Sequence, residues 1–314
     1  GGRAISDPLA GEQWGLEAVG ASRAWNRTLG NPDVVVAVVD TGVDLGHPDL
    51  RNRLVSGISF VTEVPGEEGA AAENPYRLSG PMDDNGHGTH VAGIVAAEAN
   101  NAEGGAGVAP NCRIMPVKVL AYNTRGFDGD VSAGIVWAVD HGARIVNMSL
   151  GGEGGGRTLE RAIQYANARG VLVVAAMGND GEDPAHNYGT NLNYPAAYNG
   201  VVAVAAVGPD DSVASFSNRG RWCTVAGPGT RILSTTPTYE VYDPVMTGYD
   251  RLDGTSMATP FVSGIAALAL SAKPGLDAGG LKRLLEATSR DILFPGFDFS
   301  TGHGLVDAAA AVLR

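Results

Sequence analysis

Five short runs, at residues 34–39, 114–120, 145–150, 171–176 and 201–207, are apolar at nearly every position rather than at alternate ones. A strand buried on both faces reads this way. Between them, 88–99, 130–141 and 159–169 carry apolar residues at helical spacing, and each closes at or beside Gly or Asn, as helix ends do. Strand and helix therefore alternate, which predicts an α/β fold: a central, mostly parallel β-sheet flanked by helices. After Pro274 an amphipathic segment at 278–288 and a last helix from Leu305 finish the chain. No internal repeat is present, and nothing after residue 270 reads as a new unit, so residues 1–314 are expected to form a single domain.

Two segments break the rhythm. Residues 62–82 are rich in Glu, Gly, Pro and Ala without periodicity and are longer than an ordinary connection. Residues 151–156 are nearly all glycine. A phosphate loop would need Lys-Ser/Thr to follow, and the dinucleotide-binding spacing fails, so a substrate-facing edge is the better reading.

Bulk properties narrow the field. With 44% hydrophobic and 18% charged residues the chain has the profile of a globular protein with a substantial core. No charge-free apolar run nears the roughly 20 residues of a membrane span, the nearest being 264–272. A net charge of −12 without basic clusters argues against nucleic acid as a partner. Acidity has two readings, solubility and cation binding. Two cysteines are too few for a disulfide framework; Cys112 and Cys223 could form one bridge or remain buried thiols, the second being favoured. No signal peptide is visible at Gly1-Gly2-Arg3, so the protein is cytosolic or a leader has been removed.

Four polar residues stand at the predicted ends of elements. Asp40 closes the first apolar strand, and the carboxyl ends of parallel strands are where sites form. His87 opens a helix, where the positive helix end disfavours imidazolium unless a carboxylate compensates. Ser256 opens a long apolar helix whose first N–H groups lack internal acceptors and can meet an oxyanion. Pro260 cannot donate the N–H that would close on the Ser256 carbonyl, so this first turn is unusual. Asn179 follows a buried strand and can donate a second bond to an oxyanion. Each residue alone has a bland reading as a cap or turn; together they compose an activated serine nucleophile.

The stretches Val38-Val39-Asp40-Thr41-Gly42, His87-Gly88-Thr89-His90-Val91-Ala92-Gly93 and Gly254-Thr255-Ser256-Met257-Ala258-Thr259-Pro260 resemble the three catalytic blocks of the subtilisin family of serine proteases, in the same Asp…His…Ser order. The similarity runs from about Trp14 to Asp307 and lies closest to the thermitase/subtilisin branch. It implies a subtilisin-like three-layer fold and a secreted, broad-specificity serine endopeptidase. In it Asp40 orients His87, His87 acts as base and then acid, Ser256 attacks, and Asn179 with the Ser256 N–H holds the oxyanion.

The resemblance further implies substrate bound as an extended strand between Ser149, Leu150, Gly151 and Gly152 on one side and Thr124, Arg125 and Gly126 on the other. Arg125 is bulkier than the small residue expected there. The pocket for the side chain before the scissile bond would lie between Leu150–Gly151 and Ala176, Met177 and Gly178, with Asn193 at its base; it should accept medium or large side chains without demanding Lys or Arg. A structural Ca²⁺ is implied, held by Asp7, Asp49 and Asn101 and by backbone carbonyls near Glu98, Glu103 and Gly105. A weaker cation site of many relatives lacks its acids here, at Trp222 and Thr224, and the 62–82 segment, ending in Asp83-Asp84, could hold a different calcium. Polypeptide substrates, the chain's own propeptide during folding and a monomeric state complete the expectation; no propeptide is visible, so the chain reads as a mature domain.

Competing readings have distinct signatures. A haloacid-dehalogenase phosphatase would need a second Asp two residues after Asp40 or Asp253, but Gly42 and Thr255 stand there. A degenerate protease kept for binding would have lost a triad residue. An α/β-hydrolase esterase would show Gly-x-Ser-x-Gly, which Ser256 lacks.

Overall fold

The computed structural model describes residues 1–62 and 78–314. Seven parallel strands run in the order β2-β3-β1-β4-β5-β6-β7. They are β1 (Val35–Asp40), β2 (Ile58–Ser59), β3 (Arg113–Lys118), β4 (Ile145–Met148), β5 (Leu172–Ala176), β6 (Val201–Val207) and β7 (Val225–Pro228). The five predicted strands are all present. Two end earlier than expected, β3 at Lys118 and β4 at Met148, and the residues beyond them, Leu120, Ser149 and Leu150, line a cleft. β2 and β7, and the antiparallel pair β8 (Ile232–Thr235) and β9 (Tyr249–Leu252), are additional to the predicted strands; none exceeds four residues, and β7 and β9 are broken by Gly and Pro or by charged residues.

The helices are α1 (Trp14–Ala18), α2 (Ala21–Ala24), α3 (His87–Ala96), α4 (Asp128–Asp140), α5 (Arg157–Ala168), α6 (Thr255–Ala272), α7 (Ala278–Thr288) and α8 (Ala308–Leu313). One group, α3 and α6, packs together and over the sheet; α4 packs with α5, over β1 and β3. The α3 helix stops at Ala96, three residues short of the prediction, because the chain turns extended at Ala97 to reach Asp7 and Asp49. By length and composition alone α6 could cross a membrane, with a mean hydropathy of 1.3, but 83% of it is buried. Its apolar surface on all sides is that of a core helix, surrounded by β4 to β7, α3 and α8. Most of the unusual 62–82 segment, residues 63–77, lies outside the described residues.

The topology locates the site. β1 lies between β3 and β4: the connection leaving β1 goes to β2 at one edge, whereas the one leaving β3 crosses to β4 on the other side, and such a divergence is where open α/β sheets form crevices. Asp40 is the last residue of β1.

Candidate active site

Asp40 is fully buried, and its Oδ1 accepts hydrogen bonds from the Thr41 N–H and from His87 Nδ1, both at 2.7 Å. His87 is the first residue of α3, preceded by Gly86 in a left-handed conformation (φ 111°) that turns the chain sharply into the helix. The helix start lies flat against the turn after Asp40: a Cβ on Gly88 would fall 2.1 Å from the Gly42 carbonyl oxygen. Thr41 Oγ1 accepts from the Gly88 N–H and donates to Asp83, which also accepts from Thr89. Burial pushes the imidazolium down in pKa, but the Asp40 carboxylate and its hydrogen bond, with Asp83 and Asp243 behind, more than offset this, and His87 lies above the ordinary histidine value. Its ring remains 23% exposed, toward the cleft.

Ser256 is the second residue of α6, where no helical carbonyl stands four residues back to take its N–H. Gly254, with φ 151°, is the preceding cap. Pro260 leaves the Ser256 carbonyl without its helical donor, as expected, and the vacancy is filled: the Ser149 hydroxyl donates to that oxygen at 2.7 Å. Ser149 Oγ in turn accepts from Asn147, and Asn147 Oδ1 accepts from Ser263, so a buried hydrogen-bonded chain ties β4 to α6 beneath the nucleophile. The Ser256 hydroxyl itself donates to the Ser149 carbonyl at 3.1 Å rather than to His87. Both Ser256 and His87 line one cleft, and a hydroxyl rotor is free to turn between acceptors. Asn179 Oδ1 accepts from both the N–H and the hydroxyl of Thr255, at 2.9 Å each. That fixes the amide so that its NH₂ end is the one left for a ligand.

The cleft has a volume of about 650 Å³. Thr124, Arg125 and Gly126 line it on one side, and Ser149, Leu150, Gly151 and Gly152 on the other. Leu120, Asp128, Val131, Gly154, Leu159 and Tyr194 line it as well, without having been predicted to. A second cavity of about 200 Å³ adjoins Ser256, bounded by Leu150, Gly151, Ala176, Gly178 and Asn179, with Asn193 among its walls. The Asn193 amide is wedged between two glycines: a Cβ on Gly151 would meet its Oδ1 at 2.2 Å, and one on Gly178 its Nδ2 at 2.9 Å. Met177 lines neither cavity; it is fully buried in the core. Asp180 does line the smaller cavity, although its place beside Asn179 in a polar loop gave no sign of this.

The candidate calcium ligands also converge. Asp7 and Asp49 are buried. Asp7 accepts from the backbone N–H groups of Asn100, Asn101 and Ala102, and Asp49 accepts from the Asn101 amide. Burial pushes the Asp49 carboxyl up to about 7, with the charge of Asp7 adding to the rise. Among the described residues no group of three or more His, Cys, Asp or Glu forms a metal cluster; this set has two acids, an amide and carbonyls. The Glu98 side chain is directed elsewhere, to Asn52 and Arg53, which leaves only its backbone for a cation. Asp83 and Asp84, at the end of the 62–82 segment, are engaged by Thr41, Thr89 and Lys118. Both cysteines are free and buried, and burial pushes the Cys112 thiol up to about 11.

A buried Asp–His pair thus stands at the carboxyl end of a central parallel strand and shares one cleft with a serine at a helix start. Residues 31–304 match the subtilase family, and the chain belongs to that family of serine endopeptidases. Thermitase of Thermoactinomyces vulgaris is 39% identical over 308 residues, covering 98% of each chain. Fervidolysin of Fervidobacterium pennivorans is 40% identical over 332 residues, covering 99% of this chain but 45% of its own length, so the chain spans less than half of that relative. Among solved structures, a protease of Pseudoalteromonas arctica superposes with a TM-score of 0.85 at 35% identity, covering 98% of both chains.

Proposed function

We propose that residues 1–314 form one catalytic domain that hydrolyses peptide bonds through Ser256, His87 and Asp40. The observation that carries this reading is the 2.7 Å bond from His87 Nδ1 to the buried Asp40 carboxylate, with Ser256 and Asn179 on the same cleft. Asp40 holds the imidazole in the tautomer that presents a bare Nε2 to the cleft. Ser256 Oγ turns from the Ser149 carbonyl to His87, gives up its proton and attacks the scissile carbonyl. The oxyanion is met by the Ser256 N–H and Asn179 Nδ2, the latter contributing about 3–4 kcal/mol. His87 then protonates the leaving amine, and water releases the acyl group by the reverse sequence.

Substrate lies as a strand between 124–126 and 149–152. Its side chain before the scissile bond enters the 200 Å³ cavity, where the Asn193 amide gives a polar, uncharged wall and Asp180 tolerates a cation. Broad specificity for medium or large side chains follows. Asp7, Asp49 and Asn101, with carbonyls near Glu98, Glu103 and Gly105, are suited to Ca²⁺: two buried carboxylates beside each other are costly unless a cation joins them. The ion would fasten the N-terminal segment to the loop after α3 and takes no part in the chemistry. Secretion, a propeptide that assists folding and a monomeric state are carried over from the resemblance.

Labelling with a fluorophosphonate and turnover of a peptide anilide test the mechanism. Ser256→Ala abolishes both while the protein stays folded by circular dichroism. Turnover in the variant equal to that of the parent excludes Ser256 as nucleophile.

A further inference from the structure

The segment joining β8 to β9, residues 236–248, makes three hydrogen bonds to the residues just before His87. Tyr239 donates its hydroxyl to the Asp83 carbonyl at 2.9 Å. The Tyr242 N–H donates to the Asp84 carbonyl at 3.1 Å, and its ring meets Tyr122 edge-on, with centroids 4.9 Å apart. Val241 and Val245 cover Gly86, where an added Cβ would stand 3.0 Å from a Val245 methyl. The near end is anchored on Asp44, which accepts from both the N–H and the hydroxyl of Thr238.

The contact that reaches the histidine runs through Asn85. This side chain is fully buried and every polar atom of it is used. Its Oδ1 accepts the His87 N–H at 3.2 Å, satisfying a first-turn donor of α3. Its Nδ2 donates to the Tyr122 carbonyl at 2.7 Å and to Asp243 Oδ2 at 3.0 Å. None of the residues Tyr239, Val241, Asp243 and Val245 lines the cleft or the smaller cavity.

We infer that residues 236–248 form a positioning strap for His87, and that Asp243, by holding the Asn85 amide, is a positioning residue for the catalytic base. This rests on His87 being that base. Without Asp243, Asn85 keeps only the Tyr122 carbonyl for its amide, and the loop from Asp83 to Gly86 loses the one tie to the strap that runs through the side chain bonded to the His87 N–H. The imidazole, 2.7 Å from Asp40, is then held less tightly along the line to Ser256. Asp243 also adds negative charge behind the ring. The other ionisable groups around His87 are Asp40 on β1, Asp83 and the Asp84–Lys118 pair, His90 on α3 and Arg125 across the cleft. Asp243 is the one that the strap brings.

The test uses the full chain as Asp243→Ala, Asp243→Asn and Met246→Ala, the last an exposed strap residue used as control. A peptide anilide is turned over from pH 5 to 9, with rates normalised to sites titrated by fluorophosphonate. Asp243→Ala lowers kcat per titrated site about tenfold with KM within about twofold, and the acidic limb of kcat/KM moves to lower pH. Asp243→Asn still accepts the Asn85 bond, so it recovers most of kcat yet keeps the displaced limb. Met246→Ala changes neither. A parental kcat per site in Asp243→Ala, or a parental limb in Asp243→Asn, overturns the inference, as does a loss confined to the number of titratable sites. Were His87 not the base, the parent itself would show no histidine limb, so the two failures are distinguishable.

Discussion

The Ser149 hydroxyl stands where a backbone N–H would stand in an ordinary helix, and this substitution of one donor for another can be measured. Ser149→Ala removes the donor to the Ser256 carbonyl, orphaned by Pro260, and the acceptor of the Asn147 amide. Ser149 and Asn147 are both buried, so water is a poor replacement. Each abandoned group costs about 1–3 kcal/mol, and Ser149→Ala is expected to cost about 2–6 kcal/mol in all. Pro260→Ala supplies the missing N–H in the standard position, four residues on. With alanine at 260 the Ser256 carbonyl is satisfied by the helix, and only Asn147 suffers from the loss of the hydroxyl. The cost of Ser149→Ala should therefore fall to about 1–3 kcal/mol in the alanine-260 chain, a coupling of about 1–3 kcal/mol between positions 149 and 260.

Urea unfolding of the four members of this cycle, in a Ser256→Ala background to prevent autolysis, reads the coupling. That background does not disturb the cycle, because Ser256 Oγ bonds the Ser149 carbonyl and not its hydroxyl. A coupling below about 0.3 kcal/mol is within ordinary additivity and would refute the claim that the hydroxyl replaces the helical donor.

Two further outcomes follow from the site. Asp180→Asn removes the carboxylate that lines the smaller cavity and is expected to lower kcat/KM for Lys or Arg before the scissile bond several-fold, with Phe and Leu substrates little changed; a cleavage-site profile that does not move shows that Asp180 does not sense the substrate's charge. Asp49 is raised from 3.8 to about 7 in the folded chain, so without a cation it stabilises below pH 4 and the contribution, at most about 4 kcal/mol, is lost as pH rises through 7. Excess chelator should therefore lower the unfolding temperature more at pH 8 than at pH 5, and an unchanged temperature at pH 8 would remove the calcium assignment.

Much of this site was legible because its residues stand at the junctions of strongly patterned elements. Asp40 ends a strand whose apolar run is unbroken, and His87 and Ser256 stand in the first turns of helices α3 and α6. The cleft walls at 124–126 and 149–152 came from the family resemblance rather than from the apolar pattern, which carried β3 and β4 two residues past the point where they leave the sheet. What escaped was orientation. Met177 and Asp180 flank Asn179 almost symmetrically, yet one faces the core and the other the cavity, and local spacing does not decide which. Asn85 and Asp243 are 158 residues apart, and only the packing of the β8–β9 connection against the His87 loop brings them together.

Lys118 shows how a break in the pattern carries information of its own. A lysine inside a strand that is apolar on both sides contradicts the periodicity unless its charge is met. In the folded chain it is 2% exposed and pairs across the sheet with Asp40 in register. Its ammonium donates to the Thr41 carbonyl and to Asp84 Oδ1, both at 2.5 Å, and to the Leu120 carbonyl at 3.1 Å. These three acceptors belong to the turn after Asp40, the loop before His87 and the wall of the substrate cleft. Such a pair adds little stability over an apolar replacement, because desolvation offsets most of the attraction. Its effect is on geometry: an ammonium has three protons to place, and no arrangement of these segments other than one that brings all three acceptors to the same point leaves it satisfied. The buried charge thus fastens the turn after Asp40 to the loop before His87 and to Leu120.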